Sequence, residues 1–377
     1  MANPNRKMAT VRKVTAVYPI EGADRIERAV VDGWDVVVER DAWHEGDYCI
    51  YMEPDTFLPM DDPRYAFLMQ RGTKEMMVDG KMVTGHVLRT IRLRGVYSAG
   101  ILFHFDEVLP YMPQSAWQNL YEKNYNISKM CGVWEYVPAI SPGQFEFLGK
   151  YDTYVAPRTD AERAQNVHQD VFDLLKKTEY YVSVKVDGTS MTICKDARDG
   201  ELKIYSHNNR LKLDEGMGLT SFNAAKKQGL VDFCEEHVGI TLQYELAGEK
   251  IGGNRLGLKG HRCFVFSVYD MTQRRYLDPY GYIGTYGSPE LRQSLTPKMR
   301  LDIDDFATPT DLLEFADKMR SYVTKDRLDE GLVIHCTGRG EWAEDEWPQV
   351  EIRLRDALGA TMQLKAVSRP YLAKAKG

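Results

Sequence analysis

Tyr180 Tyr181 Val182 Ser183 Val184 Lys185 Val186 Asp187 Gly188 Thr189 Ser190 Met191 Thr192 Ile193 Cys194 is the stretch that decides how this chain folds. On either side of Lys185 Val186 Asp187 Gly188 the residues are β-branched and aromatic with partial alternation, so two strands meet at a lysine and a carboxylate. Gly188 permits a tight turn. A lysine on the inner side of such a turn is partly desolvated and loses its proton more readily, as a nucleophilic amine must. An ordinary lysine, with a pKa of ~10.4, stays protonated and inert. Alone, the tetrapeptide also fits a hairpin turn with a solvated charge at each end.

Three downstream segments shift that balance. Gln243 Tyr244 Glu245 Leu246 Ala247 Gly248 sets a glutamate in a strand-like run, and Leu328 Asp329 Glu330 Gly331 Leu332 Val333 Ile334 sets another before an apolar strand. Met362 Gln363 Leu364 Lys365 Ala366 Val367 supplies a late lysine. Taken singly, each glutamate reads as a strand end paired with a surface lysine. In order and spacing, however, the set resembles the collinear motifs of the covalent nucleotidyltransferases: DNA ligases, RNA ligases and capping enzymes.

The resemblance implies a role for each residue. Lys185 matches the nucleophile of motif I, Glu245 motif III, Phe266 motif IIIa, Glu330 motif IV and Lys365 motif V. Asp187, Glu245 and Glu330 would then surround a divalent cation, Mg2+ or Mn2+, directly or through its waters. Phe266 would stack on the adenine of ATP, Val184 and Gly188 would border the nucleotide, and Lys365 would touch its α-phosphate. Arg163, in a segment similar to that upstream of motif I, would reach the same nucleotide; otherwise it is an exposed helix charge. Tyr205 Ser206 His207 Asn208 Asn209 Arg210 departs from the Ser-Arg-Asn element of motif Ia, because His207 stands where arginine is usual. Arg210 is the candidate to serve instead. Motif V commonly carries two basic residues two apart, whereas the earlier position here is Gln363.

Composition sets the outer bounds. With 377 residues the chain holds two or three domains, and a net charge of −6 provides no global basic field for nucleic acid. The six cysteines lie far apart without zinc-type spacing and read as reduced, mostly buried thiols. The start, Met1 to Arg12, has no apolar core, and no apolar run is long enough to span a bilayer. A cytoplasmic monomer is expected, or one in the host cytoplasm if a virus encodes it, with no membrane partner.

Along the chain, residues 1–108 carry short strands separated by turns, the pattern of a small barrel. Thr90 Ile91 Arg92 Leu93 Arg94 Gly95 alternates, so Arg92 and Arg94 are expected on one strand face and Arg89 on the other. That face either follows a phosphate backbone or is simply solvated. Gly46 to Pro59 and Arg94 to Gly100 resemble the OB-type leader of the fifth ATP-dependent RNA ligase family. Residues 109–158, with Pro138, Pro142, Gly143, Gly149 and Pro157, read as a connector. A helix is expected from Thr159, capped by Thr159 with Glu162, a second over Ser221–His237, and a third from about Thr310 to Tyr322. Residues 271–300 read as an insertion or long surface loop.

The expected fold is α+β: an N-terminal OB-like β-barrel (1–108), a connector (109–158), and a mixed antiparallel-sheet and helix nucleotidyltransferase core, ATP-grasp-like in type (159–377). The implied activity is an ATP-dependent RNA ligase joining 3′-hydroxyl and 5′-phosphate ends through lysyl-AMP and an adenylylated 5′ end. Its implied partners are RNA ends in nicked duplex RNA or an RNA/DNA hybrid whose 3′-hydroxyl strand is RNA. The choice of RNA rests on the leader and on Val367 Ser368 Arg369 Pro370 Tyr371 Leu372, similar to that family's terminus; no OB module is expected after motif V, as the sequence stops at Gly377. The alternatives are a DNA ligase and a noncatalytic nucleic-acid binding protein on a decayed ligase core.

Overall fold

Two sheets meet in the region that carries Lys185, and their meeting positions the site. The structure is a computed structural model that describes residues 6–137, 147–320, 322–324, 327 and 329–374. Pro138, Pro142, Gly143, Leu328 and both chain termini, named above, lie outside the described residues. The chain divides into two units, Met1–Ile140 with Leu372–Gly377, and Ser141–Tyr371.

In the first unit, the strands Ile101–Phe103, Tyr48–Met52, Ala9–Pro19, Ile26–Val31 and Trp34–Glu39 lie side by side in that order, all antiparallel. A second sheet orders Trp134–Glu135, Thr56–Pro59, Lys81–Val87 and Lys74–Val78. Alternation drives the first sheet: Trp34 and Val36 are buried while Asp35 and Val37 are only partly covered. Together these make the nearly closed OB barrel. Residues 109–137 add the short helices Trp117–Glu122 and Ser128–Cys131, and Ile127, Cys131 and Val133 join the barrel core.

The arginine face differs from expectation. Thr90–Leu93 pairs with Val96–Ala99, and the two residues between them, Arg94 and Gly95, both take left-handed φ values, of 46° and 85°. That is the geometry of a two-residue hairpin loop, so Arg94 leaves the strand and shares no face with Arg92. Arg92 instead lies 5.3 Å over the Tyr97 ring.

The second unit is built on two sheets. A seven-stranded antiparallel sheet runs Phe147–Lys150, Asn209–Leu211, Leu202–Ser206, Thr189–Lys195, Ile240–Gly248, His261–Asp270, Arg275–Leu277. A five-stranded sheet runs Glu162–Arg163, Gln363–Val367, Gly331–Gly338, Glu179–Lys185, Lys298–Met299, parallel only at its first pair. Helices Gly216–Lys227 and Leu230–Glu236 pack on the first sheet, and Gln169–Lys176, Pro309–Lys318 and Trp347–Leu358 on the second, giving two separate cores.

Three local expectations change. Thr159 does not cap a helix: its hydroxyl meets Ser190 Oγ at 3.0 Å. Glu162 and Arg163 pair instead with Leu364 and Lys365, and the helix begins only at Gln169. The second expected helix is broken at Gly229, where φ is +76°. Residues 271–300 are not a loop: Asp278 caps Pro279–Tyr286, and Ser288 caps Pro289–Arg292. Asp-Pro and Ser-Pro were helix-start signals in that stretch, a capping residue followed by proline at the first helical position.

Candidate active site

Lys185 ends the strand Glu179–Lys185 of the five-stranded sheet, and Thr189 opens the strand Thr189–Lys195 of the seven-stranded one. The motif is therefore a crossing between sheets and not a hairpin. Gly188 is required for a reason other than turn conformation. A Cβ there would stand 2.4 Å from Leu246 O and 3.0 Å from Glu245 Cγ, so only glycine lets the crossing press against the Glu245 strand. Gly331 does the same beside Glu330: its φ is +150°, and a Cβ would meet Ala366 O at 2.0 Å.

These close approaches gather charge. Lys185 Nζ lies 2.6 Å from Glu330 Oε2, with both side chains largely shielded from water. Glu245 pairs across the sheet with Ser190, and Asp187 Oδ2 lies 3.6 Å from Arg255 Nε. Burial presses the Lys185 amine toward neutrality, but Glu330, Glu245 and Asp187 together outweigh it and hold the pKa above its ordinary value. Glu245 moves the other way for a carboxylate. Burial, with Glu330 and Asp187 adding repulsion, pushes it up to about 8 against the pull of Lys185 and the Gly188 N–H. So desolvation of the lysine is present as anticipated, and in the protein by itself the surrounding acids reverse its effect.

One cavity of about 200 Å3 opens beside this cluster. Lys185, Val184, Glu245, Phe266 and Lys365 line it, with Ser183, Thr296 and His335 among the remainder. Phe266 reaches it through a sheet irregularity. Gln243 pairs with Ser267 and Tyr244 with Val265, leaving Phe266 as the extra residue of a bulge. A bulge re-aims one side chain without disturbing the strand, as bulges beside active sites commonly do. The Tyr181 hydroxyl fixes it by donating to Phe266 O at 2.8 Å.

The remaining candidates lie outside the lining. Arg163 is buried next to Lys365 in the parallel pair, His207 Nε2 sits 3.7 Å from Asp160, and Arg210 is bonded to Glu201 at 2.9 Å. Gln363, on the strand of Lys365, does line the cavity and lies 3.4 Å from Ser267 Oγ. Residues not singled out from sequence include Thr296, His335, Ser183 and Arg255. Ser183 and His335 had a visible signal, since each is a polar residue at a buried position of an apolar strand.

An OB-fold domain model matches residues 8–105, and the RNA ligase model matches residues 178–346, from just before the Lys185 strand to beyond Glu330. A Naegleria gruberi RNA ligase mutant solved with ATP and Mn is 27% identical, covers 98% of this chain and 99% of its own, and superposes with a TM-score of 0.76. The chain is an RNA ligase. A second mutant of the Naegleria gruberi enzyme, solved with AMP and Mn, is 28% identical at a TM-score of 0.76, over 98% of this chain and 99% of that one. The Naegleria gruberi RNA ligase with PPi matches at 27% identity and the same TM-score, over 98% of each chain. No curated protein matches the chain.

The ligase's own residues fit a nucleotide. The cavity joins an aromatic ring, two lysines and two deeply buried polar atoms, Thr296 Oγ1 and His335 Nδ1, that have no hydrogen-bond partner. For a metal, no group of three His, Cys, Asp or Glu side chains among the described residues is arranged to hold an ion. Glu330 and Asp187 are turned instead to the protein's own cations, Lys185 and Arg255. That donor set suits a hard ion that keeps most of its waters and takes one or two carboxylates together with substrate phosphates.

Proposed function

We propose that the ligase uses ATP and Mg2+ or Mn2+ to join an RNA 3′-hydroxyl to a 5′-phosphate, acting on nicks in a duplex whose 3′-hydroxyl strand is RNA. The observation that carries this reading is Lys185 Nζ, 2.6 Å from Glu330 and lining the cavity that Phe266 and Lys365 share. In the first transfer, Lys185 attacks the α-phosphorus of ATP and forms a P–N bond as the bond to pyrophosphate breaks. The 5′-phosphate of an RNA end then attacks that phosphorus, releasing Lys185 and giving a 5′–5′ adenylylated end. Finally the 3′-hydroxyl attacks the 5′-phosphate and AMP leaves.

Asp187, Glu245 and Glu330 are the groups that would hold the cation, whose charge supplies electrostatic stabilisation to the reacting phosphates. It has a second consequence specific to this site. The three acids are what hold Lys185 protonated, so neutralising them lets burial dominate and frees the amine. Lys365 lines the same cavity, and its charge would offset negative charge at the α-phosphate as it passes between acceptors.

Mass measurement tests the first transfer: wild type incubated with ATP and Mg2+ or Mn2+ gains one AMP, and Lys185→Ala gains none. No gain by wild type in either metal across a range of pH defeats the proposal. Sealing of nicked RNA, RNA/DNA and DNA duplexes tests the substrate. Joining should follow an RNA 3′-hydroxyl strand and weaken as salt rises, and equal sealing of all-DNA nicks rules out the RNA assignment. We also infer a cytoplasmic monomer; all six cysteines are free and buried, and no described helix is long and apolar enough to cross a membrane. Light scattering and cell fractionation test those two points, a stable dimer or a membrane-bound pool being the contrary results.

A further inference from the structure

The end of the cavity away from Lys185 is lined by groups that the phosphoryl chemistry does not use. Tyr181 pairs with His335 across the sheet, as Lys185 pairs with Gly331. Four residues of strand separate the two levels, roughly 13 Å at the usual rise. At the far level the Tyr181 and His335 rings stack, with centroids 4.3 Å apart, and the Tyr181 hydroxyl holds Phe266 from behind. The ring suited to stacking on a base and His335 therefore occupy the same end, while Thr296 stands between the sheets, bonded to Val265, the residue before Phe266.

Both polar atoms are built in. His335 is 3% exposed and Thr296 2%, and neither His335 Nδ1 nor Thr296 Oγ1 has a hydrogen-bond partner. A buried polar group left unpaired is costly, so these two are poised for a partner that enters the cavity. Thr296 is held firmly. Its N–H donates to Val265 O at 2.8 Å in one sheet, while the next residue, Pro297, accepts from the Val184 N–H at 3.0 Å in the other. His335 Nε2 lies 2.9 Å from Ser183 Oγ. When Nε2–H donates to that hydroxyl, Nδ1 is left as an acceptor.

We propose that His335 and Thr296 read the base of the nucleotide, His335 Nδ1 accepting from the exocyclic amine of adenine and Thr296 Oγ1 bonding a ring nitrogen of the same base. This rests on the ATP reading above and assigns its specificity. A base with a carbonyl in place of the amine demands the opposite histidine tautomer and a reversed Ser183 hydroxyl. A base with neither leaves Nδ1 buried and unpaired.

The test compares the efficiency with which ATP and purine riboside triphosphate, which lacks the amine, label Lys185, followed by mass. Wild type should prefer ATP by about ten- to a hundredfold, as expected for one buried hydrogen bond left unmade. His335→Phe keeps a ring to stack on Tyr181 and should bring the ratio to within about twofold of one, mainly by lowering use of ATP. Wild type that uses the two nucleotides equally, or His335→Phe that retains the wild-type ratio, overturns the proposal. If circular dichroism shows that His335→Phe is unfolded, the near-isosteric Thr296→Val decides: a reduced efficiency with both nucleotides supports the assignment, and an unchanged one overturns it. Wild type that neither nucleotide labels defeats the ATP reading itself, a result distinct from labelling without discrimination.

Discussion

The two ends of one cavity are built by opposite means. At the Lys185 end, charges of both signs crowd together with partial access to water, so the state of each group depends on the others. At the His335 end, neutral groups are buried and held in place by hydrogen bonds and stacking; burial pushes the His335 pKa down to about 3, so the imidazole carries no charge at neutral pH. Electrostatic control suits bonds that form and break, because a charge can be switched by a proton or a cation. A fixed neutral lining suits recognition, which must stay the same through every step.

Glu330→Gln probes this difference most strongly. The substitution removes the nearest negative charge from Lys185 while keeping a hydrogen-bond acceptor of similar shape. Two effects follow with opposite signs. Lys185 becomes easier to deprotonate, so the pH profile of its labelling should move to lower pH. The maximal rate should nevertheless fall by about ten- to a hundredfold, because an acid beside the reacting phosphate and its cation is lost. Labelling across pH 6–10 at saturating ATP and Mn2+ checks both, and a lower rate with no movement of the profile contradicts the charge-coupled account. The ratio of ATP to purine riboside triphosphate should be unaltered, since the far end is untouched.

How much of this was legible before the structure also divides along the cavity. Lys185, Asp187, Glu245 and Glu330 stood out because charge in an apolar strand is conspicuous and because their order resembles a known set. Even so, the sequence indicated a turn at Gly188, whereas the glycine serves a close approach between strands distant in sequence. Thr296 was hidden by its surroundings. A polar, proline-flanked stretch reads as a surface loop, and its role arises only because two capped helices return it between the sheets. His207 and Arg210 show the reverse case: motif-like letters whose partners in the protein alone are Asp160 and Glu201. Pairing across sheets depends on register, which local periodicity does not encode.

Glu245 gives a stability counterpart. Its folded pKa is raised from an ordinary 4.5 to about 8, so the native state holds this proton more tightly than the unfolded chain. The stabilisation is fully present below pH 4.5, declines as pH rises, and is gone above about pH 8. Allowing for partial solvent access, the loss over that window should be about 1–3 kcal/mol. Urea unfolding at intervals of pH should show the decline in wild type and a flatter profile in Glu245→Gln. Parallel profiles for the two proteins contradict burial as the main cause of the shift.

The smallest expected effect concerns Arg255. It lies 3.6 Å from Asp187 and 4.9 Å from the Tyr371 ring, and its side chain is about a third exposed, so its pairing with Asp187 is weak. A cation recruited by Asp187 must compete with that guanidinium. Arg255→Ala should therefore lower the Mn2+ concentration needed for half-maximal labelling of Lys185 by about two- to fivefold, the range a partly exposed ion pair of up to ~1 kcal/mol allows. The competition belongs to the charged end alone, so the preference for ATP over purine riboside triphosphate should stay fixed while the metal requirement moves. A rise in the Mn2+ requirement instead would mean that Arg255 assists the nucleotide directly and that its contact with Asp187 is incidental.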